Sequence, residues 1–199
     1  MTDVPCVRDE RLLDRIIARM RYGRAERIMR DEKNVRAVLD VGCGSCGTFL
    51  RRLSIEEKCG LDWLSEQKEY ESGGIRFFHA DLNQRQRFPF EDGCFNIVTM
   101  LAVIEHIEIM SVPAVLKEIR RVLQPQGCLI LTTPTPVCDK LCRVLANLGL
   151  ISKKEIEEHK TAYRMRQIKT LLREAGFGSE AITAGYFECS LNIWAKAVK

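Results

Sequence analysis

The sequence predicts an α/β fold in which a mostly parallel sheet carries helices on both faces. Three observations lead there. Five short apolar runs alternate with helix-like stretches across residues 37–133, and runs that are continuous rather than alternating suit strands buried on both faces. A glycine loop, Gly42, Gly44 and Gly47, follows directly on the first run. Two more strand-like runs lie near 181–188 and 191–198, joined by a return so short that it predicts an antiparallel hairpin at the end of the sheet.

The elements follow in order. Residues 8–31 read as a helix or a broken pair within an N-terminal helical segment, 1–34. Leu12, Leu13, Ile16, Ile17 and Met20 fall on one apolar face, as helical periodicity requires. Arg8, Arg11, Arg15 and Arg19 line another side. That stripe reads either as a solvated face partnered by Asp9, Glu10 and Asp14 or as a surface for an anionic ligand. The strands are "AVLDV" (37–41), "KCGLD" (58–62), "IRFFHA" (75–80), "FNIVTM" (95–100) and "CLILTT" (128–133). "TFLRRLSIEE" (48–57) is expected to be a crossover helix. "VPAVLKEIRRVLQP" (112–125) is another, with Pro113 suited to a first turn and Pro125 to a stop. A last helix before the hairpin stops at Gly176. Residues 134–162 are the least regular stretch after the N-terminus and are expected to form an insertion covering the substrate.

The bulk composition narrows the function classes. The 199 residues, 46% hydrophobic and 29% charged, suit one globular domain spanning 1–199. No run approaches the ~18 apolar residues of a membrane helix. The opening "MTDVPCVRDERLLDR" places charges where an export signal needs an apolar core. With an odd count of nine cysteines, this predicts reduced thiols and a cytoplasmic location. A net charge of +4 is compatible with an anionic partner but too small to argue for one.

The glycine loop admits several readings. A phosphate-binding P-loop needs Lys and Ser/Thr after the last glycine, and here Thr48 follows Gly47 without a lysine. G-x-G-x-x-G matches literally, and Asp62 follows at about the interval a dinucleotide site asks, so an NAD-dependent reductase fits those residues. Asp40 argues the other way. A carboxylate two residues before Gly42 would repel a pyrophosphate at the helix N-terminus, and it favours a cationic ligand with an ammonium or sulfonium group.

The stretch "VLDVGCGSCGTFL" resembles the first motif of class I S-adenosylmethionine (SAM)-dependent methyltransferases, and the likeness runs along almost the whole chain. "CGLDWL", "FFHADLN", "FNIVTMLAVIEHI" and "RVLQPQGCLILTTPTP" resemble the family's later motifs in order. "AVIEHI" and "EIRRVLQPQGCLIL" are most similar to the type 11, ubiquinone-biosynthesis-like group. The resemblance implies a Rossmann-like, seven-stranded, mostly parallel sheet with an antiparallel terminal strand, and SAM as cofactor. It assigns SAM binding to Asp40, Gly42, Cys43, Gly44, Asp62, Trp63, Asp81, Leu82 and Leu101. Within that set, Asp62 would hold the ribose hydroxyls and Trp63 would pack on the adenine, with Asp81 and the Leu82 backbone at the adenine edge. Two positions depart from the pattern: Cys46 stands where the family has glycine, and Asn96 where it often has aspartate.

Methyl transfer from a sulfonium is an in-line displacement with its leaving group built in. Orientation can supply roughly 7–11 kcal/mol of the barrier, and a base is needed only for a protonated nucleophile. His106, after the fourth strand, is the catalytic candidate, as base or substrate contact; its other reading is a packing residue bordering the SAM pocket. Glu105 reads as a helix-start or surface acid. His159 and Tyr163 either face the substrate or lie on a surface helix. Cys43 and Cys46 have C-x-x-C spacing but lie inside the loop, and Cys138 and Cys142 have only His159 as a third ligand in sequence, so no metal site is expected. A small-molecule acceptor is favoured, since the chain lacks the Asn/Asp-Pro-Pro-aromatic signature of amino-methylating nucleic-acid enzymes. Residues "VCDKLCRVLANLGLI" are expected to give it apolar walls. A nucleic acid or protein acceptor stays open through the basic helix, as does a non-catalytic SAM-binding role.

Overall fold

The computed structural model describes residues 12–63, 69–84, 86–151 and 153–199. Arg8, Asp9, Glu10 and Arg11 lie outside them. The elements are α1 (Leu12–Met29), β1 (Ala37–Val41), β2 (Glu57–Asp62), β3 (Glu69–Ser72), β4 (Ile75–His79), β5 (Phe95–Leu101), α2 (Val112–Val122), β6 (Leu123–Pro134), α3 (Pro136–Asn147), α4 (Lys153–Glu157), α5 (Met165–Glu174), β7 (Ile182–Phe187) and β8 (Asn192–Val198).

They build one sheet in the order β3-β4-β2-β1-β5-β6-β8-β7. Its central ladders, β4-β2-β1-β5-β6, are parallel. β8 runs antiparallel to both β6 and β7, so the terminal hairpin takes the predicted form. Each face has its own core, because successive strand residues point to opposite sides. Val38, Ile97, Cys128 and Ile130 pack with Ala25, Ile28 and Met29 of α1. Leu39, Val98, Met100, Leu129 and Leu131 pack with Leu116 and Ile119 of α2 and with Ile168 and Leu172 of α5.

The sheet has one strand more than the seven expected. β3 pairs antiparallel with β4 at the edge, across a two-residue turn in which Gly73 and Gly74 take φ of +59° and +71°. Two consecutive left-handed residues make the turn whose twist matches a β-hairpin. Tyr70 and Phe77 stack across it at 4.9 Å.

Two expectations about helices are corrected. The crossover helix at 48–57 is only a 3₁₀ turn, Leu50–Arg52. The preceding loop consumes residues up to Gly47, and the remainder is shorter than the ~12–15 residues that sustain a helix without strong packing. Its buried side chains, Phe49 and Leu50, are adjacent rather than spaced along a face. In α1, Ile16 and Met20 of the predicted apolar face are exposed, and the helix docks through Ala25, Ile28 and Met29 near its other end.

Candidate functional site

The chain steps from β1 outward to β2 and β4, and returns to lay β5 on the other side of β1. In open α/β sheets the crevice at such a reversal, outside the carboxyl ends of the strands, is where ligands bind. The ends of β1, β2 and β5 bring Asp40–Gly47, Asp62–Trp63 and Leu101–His106 to that edge.

The glycine loop is fixed by two contacts. The Gly44 amide donates to Asp62 Oδ2 at 2.8 Å, and the Gly42 amide donates to the Leu61 carbonyl at 2.7 Å. Gly42 has φ of +78°, and a Cβ there would stand 2.2 Å from a methyl of Val103. Gly42 is thus required both by its backbone conformation and by the β5 turn pressed against it. Cys43 Sγ covers Gly60, where an added Cβ would sit 2.6 Å from the sulfur.

Asp40 is buried, 4% exposed, and accepts a 2.6 Å hydrogen bond from Thr99 Oγ1. Burial pushes its pKa up to about 7; the Thr99 bond opposes this and the neighbouring Asp62 carboxylate adds to it. Two acidic side chains thus meet under the loop, a setting that favours a cation. Trp63 is 63% exposed at the end of β2 and lies outside the core. Both Asp81 oxygens are engaged locally, by the Asn83 amide and the Gln84 side chain. Leu82 packs against the α2-side core and Leu101 against the α1-side core.

Opposite the loop, the chain leaves β5 through Ala102, whose φ of +58° is unusual for a residue with a Cβ. Such strained residues gather at ligand-binding edges. The following 3₁₀ turn, Ile104–His106, carries the next group. Glu105 is not a surface acid: it is 1% exposed. Its Oε2 accepts from Thr133 Oγ1 at 3.0 Å, and its carbonyl accepts from the amides of Lys160 and Thr161. Burial raises its pKa, against the opposing pull of His159 and Arg21.

His106 meets the ring of His159 edge-on, centroids 4.8 Å apart. His159 Nδ1 lies 2.7 Å from Asp139 Oδ1, and Arg143 Nε donates to the other Asp139 oxygen at 2.9 Å. Burial alone would raise the Asp139 pKa, but the bonds from His159 and Arg143 outweigh it and hold it low. His159 is therefore held between His106 and Asp139 and does not lie on a surface helix. Tyr163 does neither thing expected of it: it is 2% exposed within the α2-side core.

Ligand-type atoms of Glu105, His106 and His159 all lie within 4.8 Å of one another, a grouping the sequence reading, which placed no metal site, did not foresee. His159 is not gathered with Cys138 and Cys142, whose sulfurs face each other at 3.8 Å. Residues 137–151, from which apolar walls are expected, form α3 and the turn that follows it. Val137, Leu141 and Val144 are exposed along α3 and Leu148 just after it, while Asp139 points inward to His159. Thr99, Val103, Thr133 and Asp139 were missed from the sequence. Only Asp139 carried any signal, as an acid in the first turn of a helix capped by Thr135.

Asn96 lies at the far end of the sheet. Its Oδ1 accepts from the Arg36 and Ala37 amides, both at 2.9 Å, and its Nδ2 donates to Gln124 Oε1. This departure from the family pattern is a clamp at the start of β1, remote from the loop.

A family model described as a methyltransferase domain matches residues 8–181. The chain belongs to that family. It is a class I methyltransferase domain, and SAM is the cofactor that goes with it. A malonyl-[acyl-carrier protein] O-methyltransferase of Legionella pneumophila is 32% identical over 108 residues, 51% of this chain. The match takes in 37% of that relative's length. Among solved structures, a SAM-dependent methyltransferase from Archaeoglobus fulgidus superposes with a TM-score of 0.68 at 15% identity, over 91% of this chain and 94% of that one. One from Mesorhizobium loti gives 0.64 at 18% identity, over 90% and 98%. These likenesses are of fold. Among the described residues, no helix is long and apolar enough to cross a membrane.

Proposed function

We propose that this protein transfers the methyl group of SAM to a small-molecule acceptor seated between the glycine loop and the cluster of Glu105, His106 and His159. The observation that carries this is the acidic cradle under the loop, where Asp62 holds the Gly44 amide and Asp40 lies buried beside it. In this reading Asp40 faces the SAM ammonium, Asp62 takes the ribose hydroxyls, Trp63 covers the adenine, and Asp81, Leu82 and Leu101 complete the pocket. Segment 134–162 covers the acceptor, with its polar side inward. The activity named for the Legionella relative is an O-methylation, which supports an oxygen nucleophile.

The chemistry needs little more than alignment. The acceptor oxygen attacks the methyl carbon, the carbon–sulfur bond breaks, and its electron pair neutralises the sulfonium to give S-adenosylhomocysteine. The nucleophile's proton leaves to a base or to water. The test is a thermal-shift titration with SAM, S-adenosylhomocysteine and NADH in parallel. Binding at a hundredfold excess over Kd stabilises the native state by about 2.7 kcal/mol, a midpoint shift of roughly 5–10 °C at this size. Shifts with both adenosyl ligands and none with NADH are expected. A shift with NADH alone would make the loop a reductase's.

A further inference from the structure

We infer that Glu105, His106 and His159 form a divalent transition-metal site at the acceptor end of the pocket. The three side chains come from two segments far apart in sequence, the turn after β5 and the irregular stretch after α4. Their ligand-type atoms nevertheless all lie within 4.8 Å of one another. Ligands ~2.1 Å from a tetrahedral metal stand about 3.4 Å apart, so small side-chain rotations close the set.

The surroundings are those a metal-bound imidazole needs. Asp139 holds His159 Nδ1 at 2.7 Å, which leaves Nε2 as the nitrogen to offer a cation. A carboxylate behind a ligating histidine fixes its tautomer and strengthens it as a donor. Asp139 is itself fixed by Arg143, and Glu105 is oriented by the Thr133 hydroxyl. A buried carboxylate is costly without a compensating positive charge, and Glu105 is 1% exposed. Two imidazoles and a carboxylate are the ligand set of catalytic zinc and of open non-haem iron sites, which leave positions for a substrate.

Its use rests on the methyl-transfer reading above. The cation would take the acceptor oxygen as a further ligand and lower its pKa, so that the proton leaves to water before attack. A histidine–carboxylate proton relay through His159 and Asp139 is the competing use of the same residues, and it needs no metal.

The experiment uses the full chain, stripped with chelator and titrated with Co²⁺ by visible absorption and with Zn²⁺ by calorimetry, with SAM affinity measured on the same samples. One equivalent of cation is expected, with the weak-field bands of nitrogen and oxygen ligands. His159→Ala should abolish binding. Asp139→Asn, which keeps the volume, should weaken it roughly 10–100-fold. Both variants should keep wild-type SAM affinity, which also certifies that they fold. A wild type that binds SAM and neither cation overturns the site. So does a His159→Ala protein that binds as wild type, or sulfur-to-cobalt charge-transfer bands placing the cation on Cys138 and Cys142. If the cation binds and SAM does not, the metal site stands and the methyl-donor reading falls.

Discussion

Asp62, the last residue of β2, receives the backbone amide of Gly44 at 2.8 Å. One carboxylate therefore ties the second strand to the loop that follows the first. The geometry of the loop and the placement of this acid are a single feature, and a change at one should be felt at the other.

Asp62→Ala should weaken SAM binding by on the order of 1–3 kcal/mol, the cost of leaving buried partners unpaired. Asp62→Asn should lose less than Asp62→Ala, because its carbonyl oxygen can still accept from Gly44. Calorimetry on both variants checks this, and unchanged affinity in Asp62→Ala would remove the residue from the site.

SAM affinity should depend on pH through Asp40. Its pKa is raised to about 7, so the native state holds a proton that the unfolded chain has already released. Between about pH 4 and pH 7 this makes stability fall as pH rises, with no further change from Asp40 above that window. A cationic ligand needs the ionised form. Affinity should thus drop as pH falls below about 7, by up to ~10-fold per pH unit. Titrations at several pH values should show this slope in the wild type and a flat profile in Asp40→Asn. An equal slope in both would assign the proton elsewhere.

Gly42→Ala should destabilise the fold. A left-handed alanine costs roughly 1–2 kcal/mol, and its Cβ would collide with Val103. Adding Val103→Ala removes the collision but not the backbone cost, so the double variant should recover part of the loss. Denaturant unfolding of the two single variants and the pair gives the coupling. Strictly additive losses would show that the two side chains do not meet.

Asn96→Ala should cost stability and leave the cofactor alone. It strands the Arg36 and Ala37 amides, worth about 1–3 kcal/mol for groups that stay buried. Asn96→Asp keeps the acceptor and should cost less. SAM affinity should match wild type in both, measured beside their melting curves; a loss of affinity would tie the start of β1 to the loop.

What the sequence made legible was local. The loop announced itself because Gly42, Gly44 and Asp40 are neighbours in the chain, and Asp62 follows at an interval set by one strand-to-strand step. The strands predicted at 37–41 and 95–100 stood out because they are apolar on both faces. β3 was overlooked because its residues, Glu69–Ser72, are mostly polar; the signal was the Gly-Gly pair ahead of "IRFF". The acceptor end was harder to read. Nothing in "AVIEHI" tells a buried Glu105 from an exposed one, since Thr133 and the amides of residues 160 and 161 reach it only once the sheet is assembled. Asp139 and His159 are twenty residues apart, and their pairing depends on how α3 and α4 fold back together. Segment 48–57 misled because helical composition cannot reveal how much chain the preceding loop consumes.

The segment between β6 and α5 has one further consequence. Its two ends are anchored in the cores of the sheet, at Leu131 and at Ile168 and Leu172. The groups under the glycine loop, by contrast, come from β1, β2 and β5. Asp139 and His159 therefore belong to a stretch of chain separate from the strands that carry Asp40 and Asp62, joined to them where Lys160 and Thr161 bond to Glu105. Under the proposed methyl-transfer reading, a change at Asp139 or His159 alters the acceptor end and leaves the residues under the glycine loop in place.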